Sequence, residues 1–470
     1  MTAALRAADL APSGWLEPGD LAVILRSAYD PVVAGALERH GDLGRDLATA
    51  GPVAVTENWS SVRSDPAHHC VLWISEWPRS LVYPGFLAPV LLSSGVRRTF
   101  TLLYMTDLHA QLPPLYFREP SINLGVGDAR GRPPHLTDEA FRAAFKVATG
   151  SADAYALTSD DFVALAKSYG RMGGVDRLAT LIKAIRAERG ADKVLLLDGG
   201  DTWQGSWTSL KSNAQDMVDV QAALGVEAMT AHWEFTYGAE RVKEIVDKAP
   251  FAFLAQNVRE NEFGDAVFEG RKTFEKGGAK IAVIGQAFPR TPISNPAWMI
   301  PKWEFGLRED DVQKQVDEAR AEGADVVVLL SHNGYDVDYK MAGRVKGLDV
   351  ILAAHTHDAI PEAQQVGSTL LIAAGSHGKF LARLDLDVKD KKVSGYRFRL
   401  IPVFSDAIAP DAEMAALVGK IRAPFEKDLS RELGRTESLL YRRGNFNGTF
   451  DDLICEAMLA ERDVEIALSR

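Results

Sequence analysis

A layered α/β fold is predicted from three observations. From Phe100 onward, apolar strand-like runs alternate with amphipathic helical stretches. Four of those runs stop abruptly in Asp or His, as strands do when they end at a site-bearing edge of a sheet. The chain is also long enough for two or three domains with a sizeable core, at 470 residues with 46% hydrophobic and 25% charged side chains.

Taken in order, Leu21 to Ala28 has helical apolar spacing behind a Pro18-Gly19-Asp20 start, and Val71-Leu72-Trp73-Ile74 reads as a strand ending at Trp77-Pro78. Neither carries catalytic chemistry. Thr101 to Met105 then runs into Asp107, and Val194 to Leu197 into Asp198-Gly199-Gly200-Asp201. Val326 to Leu330 runs into Ser331-His332, and Val350 to Ala354 into His355. Between them, Val175, Leu178, Leu181, Ile182 and Ile185 recur at helical spacing and make a stripe that packs on a sheet. After Val388 the pattern predicts a helix from Pro410-Asp411, a break at Pro424 and a turn-rich Arg443-Gly444-Asn445-Phe446-Asn447-Gly448 segment. The last twenty residues predict a helix and a short strand.

A formal net charge of -11 argues against a nucleic-acid binder, whose phosphate contacts need clustered Lys and Arg. A small anionic substrate would therefore need a local positive centre. Cys70 and Cys455 stand far apart with no CxxC pattern, which suggests neither a zinc knuckle nor a disulfide framework. No run of eighteen apolar residues predicts a membrane span, and the first thirty residues lack the basic and apolar blocks of an export signal.

The polar strand ends hold the chemistry. Asp107-Leu108-His109 puts two ligand types two residues apart. In Asp198-Gly199-Gly200-Asp201 the glycines allow a tight turn and a close approach of backbone to an ion, although a strand-to-helix turn with Asp as N-cap would look the same in isolation. Ser331-His332-Asn333-Gly334 and His355-Thr356-His357-Asp358 follow two further strands. Any one of these histidines could be a satisfied core residue. Yet five of the ten in the chain, His109, His232, His332, His355 and His357, fall in such segments. Imidazole with carboxylate suits Mn, Fe or Zn better than Ca, and two such ions would clamp a tetrahedral oxyanion and activate a water.

The order DxH, GGDxxxG, a GNHE-like segment, SHNG and HxH resembles the calcineurin-like metallophosphatases related to 5′-nucleotidases. That resemblance implies a four-layer α/β/β/α sandwich. It also implies one metal on Asp107, His109, Asp201 and His357, and a second on Asp201 (bridging), His232, His332 and His355. Where nucleotidases read Gly-Asn-His-Glu-Phe-Asp-Tyr-Gly, this chain reads Ala231-His232-Trp233-Glu234-Phe235-Thr236-Tyr237-Gly238, so the catalytic His and its Asp partner become Trp233 and Thr236. Losing a positioned polar catalyst costs roughly 100-fold or more in rate, which speaks against an efficient nucleotidase.

The same replacement resembles the SoxB-type thiosulfohydrolases. So do Asp107-Leu108-His109-Ala110-Gln111-Leu112, Phe117-Arg118-Glu119-Pro120, Gly170-Arg171-Met172-Gly173-Gly174, Gly200-Asp201-Thr202-Trp203-Gln204-Gly205-Ser206 and Arg443 to Thr449. The resemblance implies release of sulfate from a thiosulfonate on a carrier-protein cysteine. It makes Asp201, His232, Arg171 and Trp233 the residues expected at the reacting centre, Arg171 because guanidinium matches paired oxygens. Further candidates are Tyr169 and Trp203, beside a path for the carrier arm, and His377 and His135. For Tyr169 and Trp203 packing is the commoner reading, and for Arg171 a surface or helix-capping position is at least as simple; His377 falls where relatives have a loop near the metals, and His135 in a Pro-rich loop of the SoxB-like pattern.

The resemblance also implies two manganese ions, with iron or zinc as alternatives, a SoxYZ-type carrier as partner, a monomer, and a periplasmic location that the visible N-terminus does not announce. The expected organisation is a leader at 1–98, which resembles part of an actinobacterial conjugation-type membrane-associated protein, a metallophosphatase-like domain at 99–400, and a linker helix with a truncated C-terminal α/β piece at 401–470. Two other functions stay open: a phosphomonoesterase acting on nucleotides, and an inert fusion protein.

Overall fold

The structure is a computed structural model that describes residues 98–116, 125–438, 440 and 448–469. The helix and strand expected within 21–28 and 71–74, and the segments 117–120 and 443–447, lie outside the described residues.

Two six-stranded sheets form the frame. The first is built from Arg98–Met105 (β1), Val194–Asp198 (β2), Ala228–Met229 (β3), Ala252–Phe253 (β4), Phe380–Lys389 (β13) and Lys392–Pro402 (β14), in the order β14-β13-β1-β2-β3-β4. The second is built from Arg271–Lys276 (β6), Ala279–Gln286 (β7), Val326–Ser331 (β9), Val350–Ala353 (β10), Gln364–Val366 (β11) and Thr369–Ala373 (β12), in the order β11-β12-β10-β9-β7-β6. A small antiparallel pair, Arg259–Glu260 (β5) and Trp303–Glu304 (β8), stands apart. In the first sheet β1, β2, β3 and β4 run parallel, and in the second β7, β9, β10 and β12 do so.

The period of two along each strand decides the layering. Phe100, Leu102 and Tyr104 of β1, Leu195 and Leu197 of β2, Val326, Val328 and Leu330 of β9, and Val350 and Leu352 of β10 share one apolar cluster between the sheets. The alternate residues of the first sheet, Leu103, Met105, Val194 and Leu196, face a second cluster built with the helices Val175–Arg189, Gln215–Leu224, Ala239–Lys248 and Ala412–Arg422. Those of the second sheet, Val327, Leu329, Ile351 and Ala353, face a third cluster with the helices Glu309–Ala321 and Tyr335–Arg344. Three apolar interfaces make four layers, α/β/β/α, as expected. Each fully buried Val, Leu or Ile contributes about 1.5–3 kcal/mol. Tyr104 Oη donates to Ala353 O across the inter-sheet core at 2.9 Å, so the sheets are also joined by a buried polar link.

The helix Val175–Arg189 buries Val175, Leu178, Ile182 and Ile185, the expected stripe, and Leu181 packs at its margin. Its Arg186 donates to Leu224 O and Gly225 O, both at 2.7 Å, and so caps the neighbouring helix. Downstream, Asp411 caps the helix Ala412–Arg422 by accepting from Met414 N, and Pro424 sits in a tighter turn beyond it. The helix Thr449–Glu461 follows. The short strand expected after it is not formed: residues 462–469 are irregular. Among the described residues, no helix is long and apolar enough to cross a membrane.

Candidate metal centre

The carboxyl ends of the parallel strands in both sheets meet at one edge, and the loops leaving them converge there. The loops after β1 and β2 stay paired beyond the sheet: Asp107 N donates to Gly200 O at 2.8 Å, His109 N to Asp201 O at 2.8 Å and Ala110 N to Thr202 O at 2.9 Å. This pairing explains the Gly-Gly of the second loop. A Cβ at Gly199 would overlap Thr106 Oγ1 and Tyr104 Oη, and Gly200 has φ +88° with Thr230 O directly against it. Five of the expected ligand residues, Asp107, His109, Asp201, His355 and His357, adopt left-handed backbone, which costs an L-residue about 1–2 kcal/mol.

Two groups of ligand atoms result. Asp201, His232, His332 and His355 bring one donor atom each to within 4.8 Å of one another, and Asp107, His109 and His357 do the same. Asp201 Oδ2 lies between the groups, 3.1 Å from His232 Nδ1, 3.1 Å from His332 Nε2 and 4.0 Å from His109 Nε2. Asp107 Oδ1 lies 3.3 Å from His357 Nε2 and 3.7 Å from His332 Nε2. The seven expected ligand residues are thus brought together, with Asp201 in the shared position.

The donor chemistry fits cations. His332 Nδ1 sits 2.6 Å from Gly199 O, an atom that can only accept, so Nδ1 carries a proton; without an ion, Nε2 also carries one and donates to Asp201 Oδ2 at 3.1 Å, and a cation bound there would take that proton's place. His109 Nδ1 faces Gln204 O at 3.2 Å in the same way, and its Nε2 meets His357 Nε2 at 3.0 Å. Lone pairs this close repel unless a cation or proton lies between them. Burial lowers the His332 imidazole, but the Asp201 and Asp107 carboxylates outweigh it and push its pKa up to about 9. Burial, then the His332 and His232 imidazoles, push His355 down to about 3. Burial would raise the Asp107 and Asp201 carboxyls, yet the surrounding imidazoles hold both below their ordinary range. The carboxylates stay anionic, as ligands must.

Glu234 holds these loops in register, and the motif alone did not announce it. Its buried carboxylate accepts from four backbone N–H groups: Thr202 at 2.7 Å and Trp203 at 3.2 Å on Oε1, His232 at 2.8 Å and Asp201 at 3.2 Å on Oε2. Asp201 reciprocates by accepting from Trp233 N at 2.7 Å. Phe288, also unforeseen, packs 4.2 Å from both the His232 and His355 rings and walls that side.

The other expected residues divide. Trp233 stacks on His232 with centroids 4.6 Å apart, and Thr236 Oγ1 turns back to Trp233 O. Arg171 is 46% exposed, and its carboxylate partner is Asp406, 3.9 Å away. Trp203 is fully buried with Nε1 donating to Gln221 Oε1 at 2.7 Å, so it belongs to the core and lines no path. Tyr169 donates to Gly150 O and packs against Tyr155 and Phe404, which is also a packing role. His135 pairs with Asp336 at 2.9 Å and stands outside the two ligand groups. His377 lies beside the second group, 5.2 Å from the His109 ring and 5.6 Å from that of His357. The centre is unevenly open: His109 and His357 are 16% and 14% exposed, Asp201 and His332 2% and 0%. On that open side a cavity of about 120 Å³, lined by residues including Phe141, Thr158, His357 and Lys379, borders the second group.

Comparison with known proteins places this geometry. No family model matches the chain. The sulfate thiohydrolase SoxB of Thermus thermophilus is 39% identical with a TM-score of 0.74, over 77% of this chain and 67% of that one. The snake venom 5′-nucleotidase of Gloydius brevicauda is 28% identical over 365 residues, 68% of this chain and 60% of its own length, so the chain spans about three fifths of that curated relative. A 5′-nucleotidase precursor, also from Thermus thermophilus, covers 77% of this chain and 67% of its own at 22% identity and a TM-score of 0.59, and so shares the fold. With that degree of identity to SoxB spread over two thirds of its length, the chain belongs to the SoxB-type, 5′-nucleotidase-like metallophosphatases.

Proposed function

We propose that the chain is the catalytic core of a hydrolase that uses two divalent ions, manganese foremost, to release sulfate from a cysteine S-thiosulfonate on a SoxYZ-type carrier protein. The observation that carries the reading is the pair of adjoining ligand groups sharing Asp201, with an indole stacked beside His232 where nucleotidases place an imidazole. Bound there, the ions would neutralise a tetrahedral oxyanion and lower the pKa of a water.

The residues supply the rest. Asp201 and Asp107 provide the anionic ligands, and Gly199 O and Gln204 O fix the tautomers of His332 and His109. Trp233 and Phe288 make an apolar wall that excludes bulk water from the His232 side. In the reaction the water oxygen bonds to the sulfonate sulfur, the S–S bond breaks, its electron pair leaves with the persulfide, and the water protons go to solvent. A persulfide is a weakly basic leaving group, so the step tolerates Trp233 and Thr236 where a phosphomonoesterase would need a proton donor. Arg171, half-exposed, would guide the sulfonate at the rim. The same reading makes the protein a periplasmic monomer that meets its carrier there.

The test is to purify the chain with manganese, count bound metal, and follow sulfate release from thiosulfonate-loaded carrier. About two ions per chain and steady sulfate release, abolished in His332→Ala, are expected. Phosphate release from adenosine monophosphate with no sulfate release would establish a nucleotidase instead, and a protein that holds no metal would overturn the reading altogether.

A further inference from the structure

We propose that His377 is a substrate-contacting imidazole, donating a hydrogen bond to an oxygen of the tetrahedral anion on the Asp107, His109 and His357 side. The inference rests on reading the two ligand groups as a two-ion centre.

Position is the first argument. The His377 ring lies 5.2 and 5.6 Å from those of His109 and His357, matching the 5.0–5.4 Å that separates His232, His332 and His355 from one another. His377 therefore stands one ring away from the ligands, like a ligand's neighbour. Its nitrogens nevertheless fall outside the Asp107, His109 and His357 donor set. A group so placed reaches what an ion holds rather than the ion. It is also on the more open side, where His109 and His357 keep some exposure and an incoming anion can arrive.

Construction is the second argument. His377 has φ +55°, the same left-handed backbone as five ligand residues, and its N–H donates to Asp107 O at 2.8 Å, which ties it to the β1 loop. Ser376 Oγ lies 2.8 Å from Nδ1. With the hydroxyl donating to Nδ1, the neutral ring carries its proton on Nε2, the tautomer that gives a donor to an anion. The Gly170–Gly174 loop with Arg171 packs on this one, since a Cβ at Gly173 would stand 3.0 Å from His377 O. The cationic Arg171 and the His377 imidazole thus sit on adjoining loops.

The test uses His377→Ala and His377→Gln in the manganese-loaded chain, with metal counted by elemental analysis and inorganic phosphate as probe anion in titration calorimetry. The expected result is an unchanged metal count, phosphate binding weaker by about ten- to hundredfold in the Ala variant, and partial recovery in the Gln variant, which keeps a donor. Loss of one ion would make His377 a ligand and overturn the proposal, and so would unaltered phosphate affinity. The substrate reading fails separately, through absence of sulfate release by a wild-type protein that binds both metal and phosphate. A wild-type protein without metal overturns both.

Discussion

At the scale of single residues, Glu234 shows how a buried charge can serve geometry. Burial and the nearby Asp201 carboxylate raise its pKa, while its four backbone N–H bonds pull the other way. Those N–H groups belong to the loops that bear Asp201 and His232. Glu234→Gln would turn an amide NH₂ toward N–H donors and loosen the clasp, so metal affinity should fall by about 10- to 100-fold, the usual effect of removing an outer-shell partner. A manganese titration of the variant matching wild type would show that the clasp has no such effect. His332 was legible from the sequence because it ends an apolar run. Glu234 was not, since its partners are main-chain amides whose positions exist only once both loops are folded. Trp203 was ambiguous for a related reason: an aromatic beside a ligand loop looks the same in sequence whether it faces the cleft or, as here, Gln221 in the core, the commoner of the two readings.

At the scale of elements, β9 and the helix that follows it bury an acid with a pH signature. Asp338, in the first turns of Tyr335–Arg344, accepts from Ser331 Oγ at 2.7 Å and Asn333 Nδ2 at 2.9 Å, while its Oδ2 is buried without a partner among the described residues. Burial raises its pKa from 3.8 to about 7. Because the folded value lies above the unfolded one, the stability this group gives is full below about pH 4 and is lost as pH rises through about 7. Asp338→Asn mimics the protonated form, so the melting temperature of the variant should gain on wild type as pH rises through that window. Parallel pH profiles of the two proteins would refute the assignment. The central strands β1, β2, β9 and β10 were readable because they are buried on both faces and so appear as unbroken apolar runs. The hairpin β13–β14 escaped notice because its outer strand alternates Lys, Arg and Tyr with apolar residues, a weaker signal. Residues 462–469 alternate Val464, Ile466 and Leu468 with other residues enough to suggest a strand, but composition does not fix what a segment pairs with, and they are irregular.

At the scale of the whole molecule, the ligand loops draw on both sheets, so the centre is a clasp between them as well as a site. Asp201 and His232 follow strands of the first sheet, His332 and His355 strands of the second. An ion binding only the folded form adds about 4 kcal/mol at a thousandfold excess over its Kd. Chelation of the loaded protein should therefore lower the melting temperature by several degrees, restored by manganese; an unchanged temperature after verified metal removal would mean that the two halves hold together without it. Left-handed backbone recurs at Asp107, His109, Asp201, His355 and His357. Such conformations persist only where surrounding structure enforces them, and here the pairing of the β1 and β2 loops and the Glu234 clasp do so. Since the same nitrogen and oxygen donors accept several transition metals, the ligand set by itself does not choose among them.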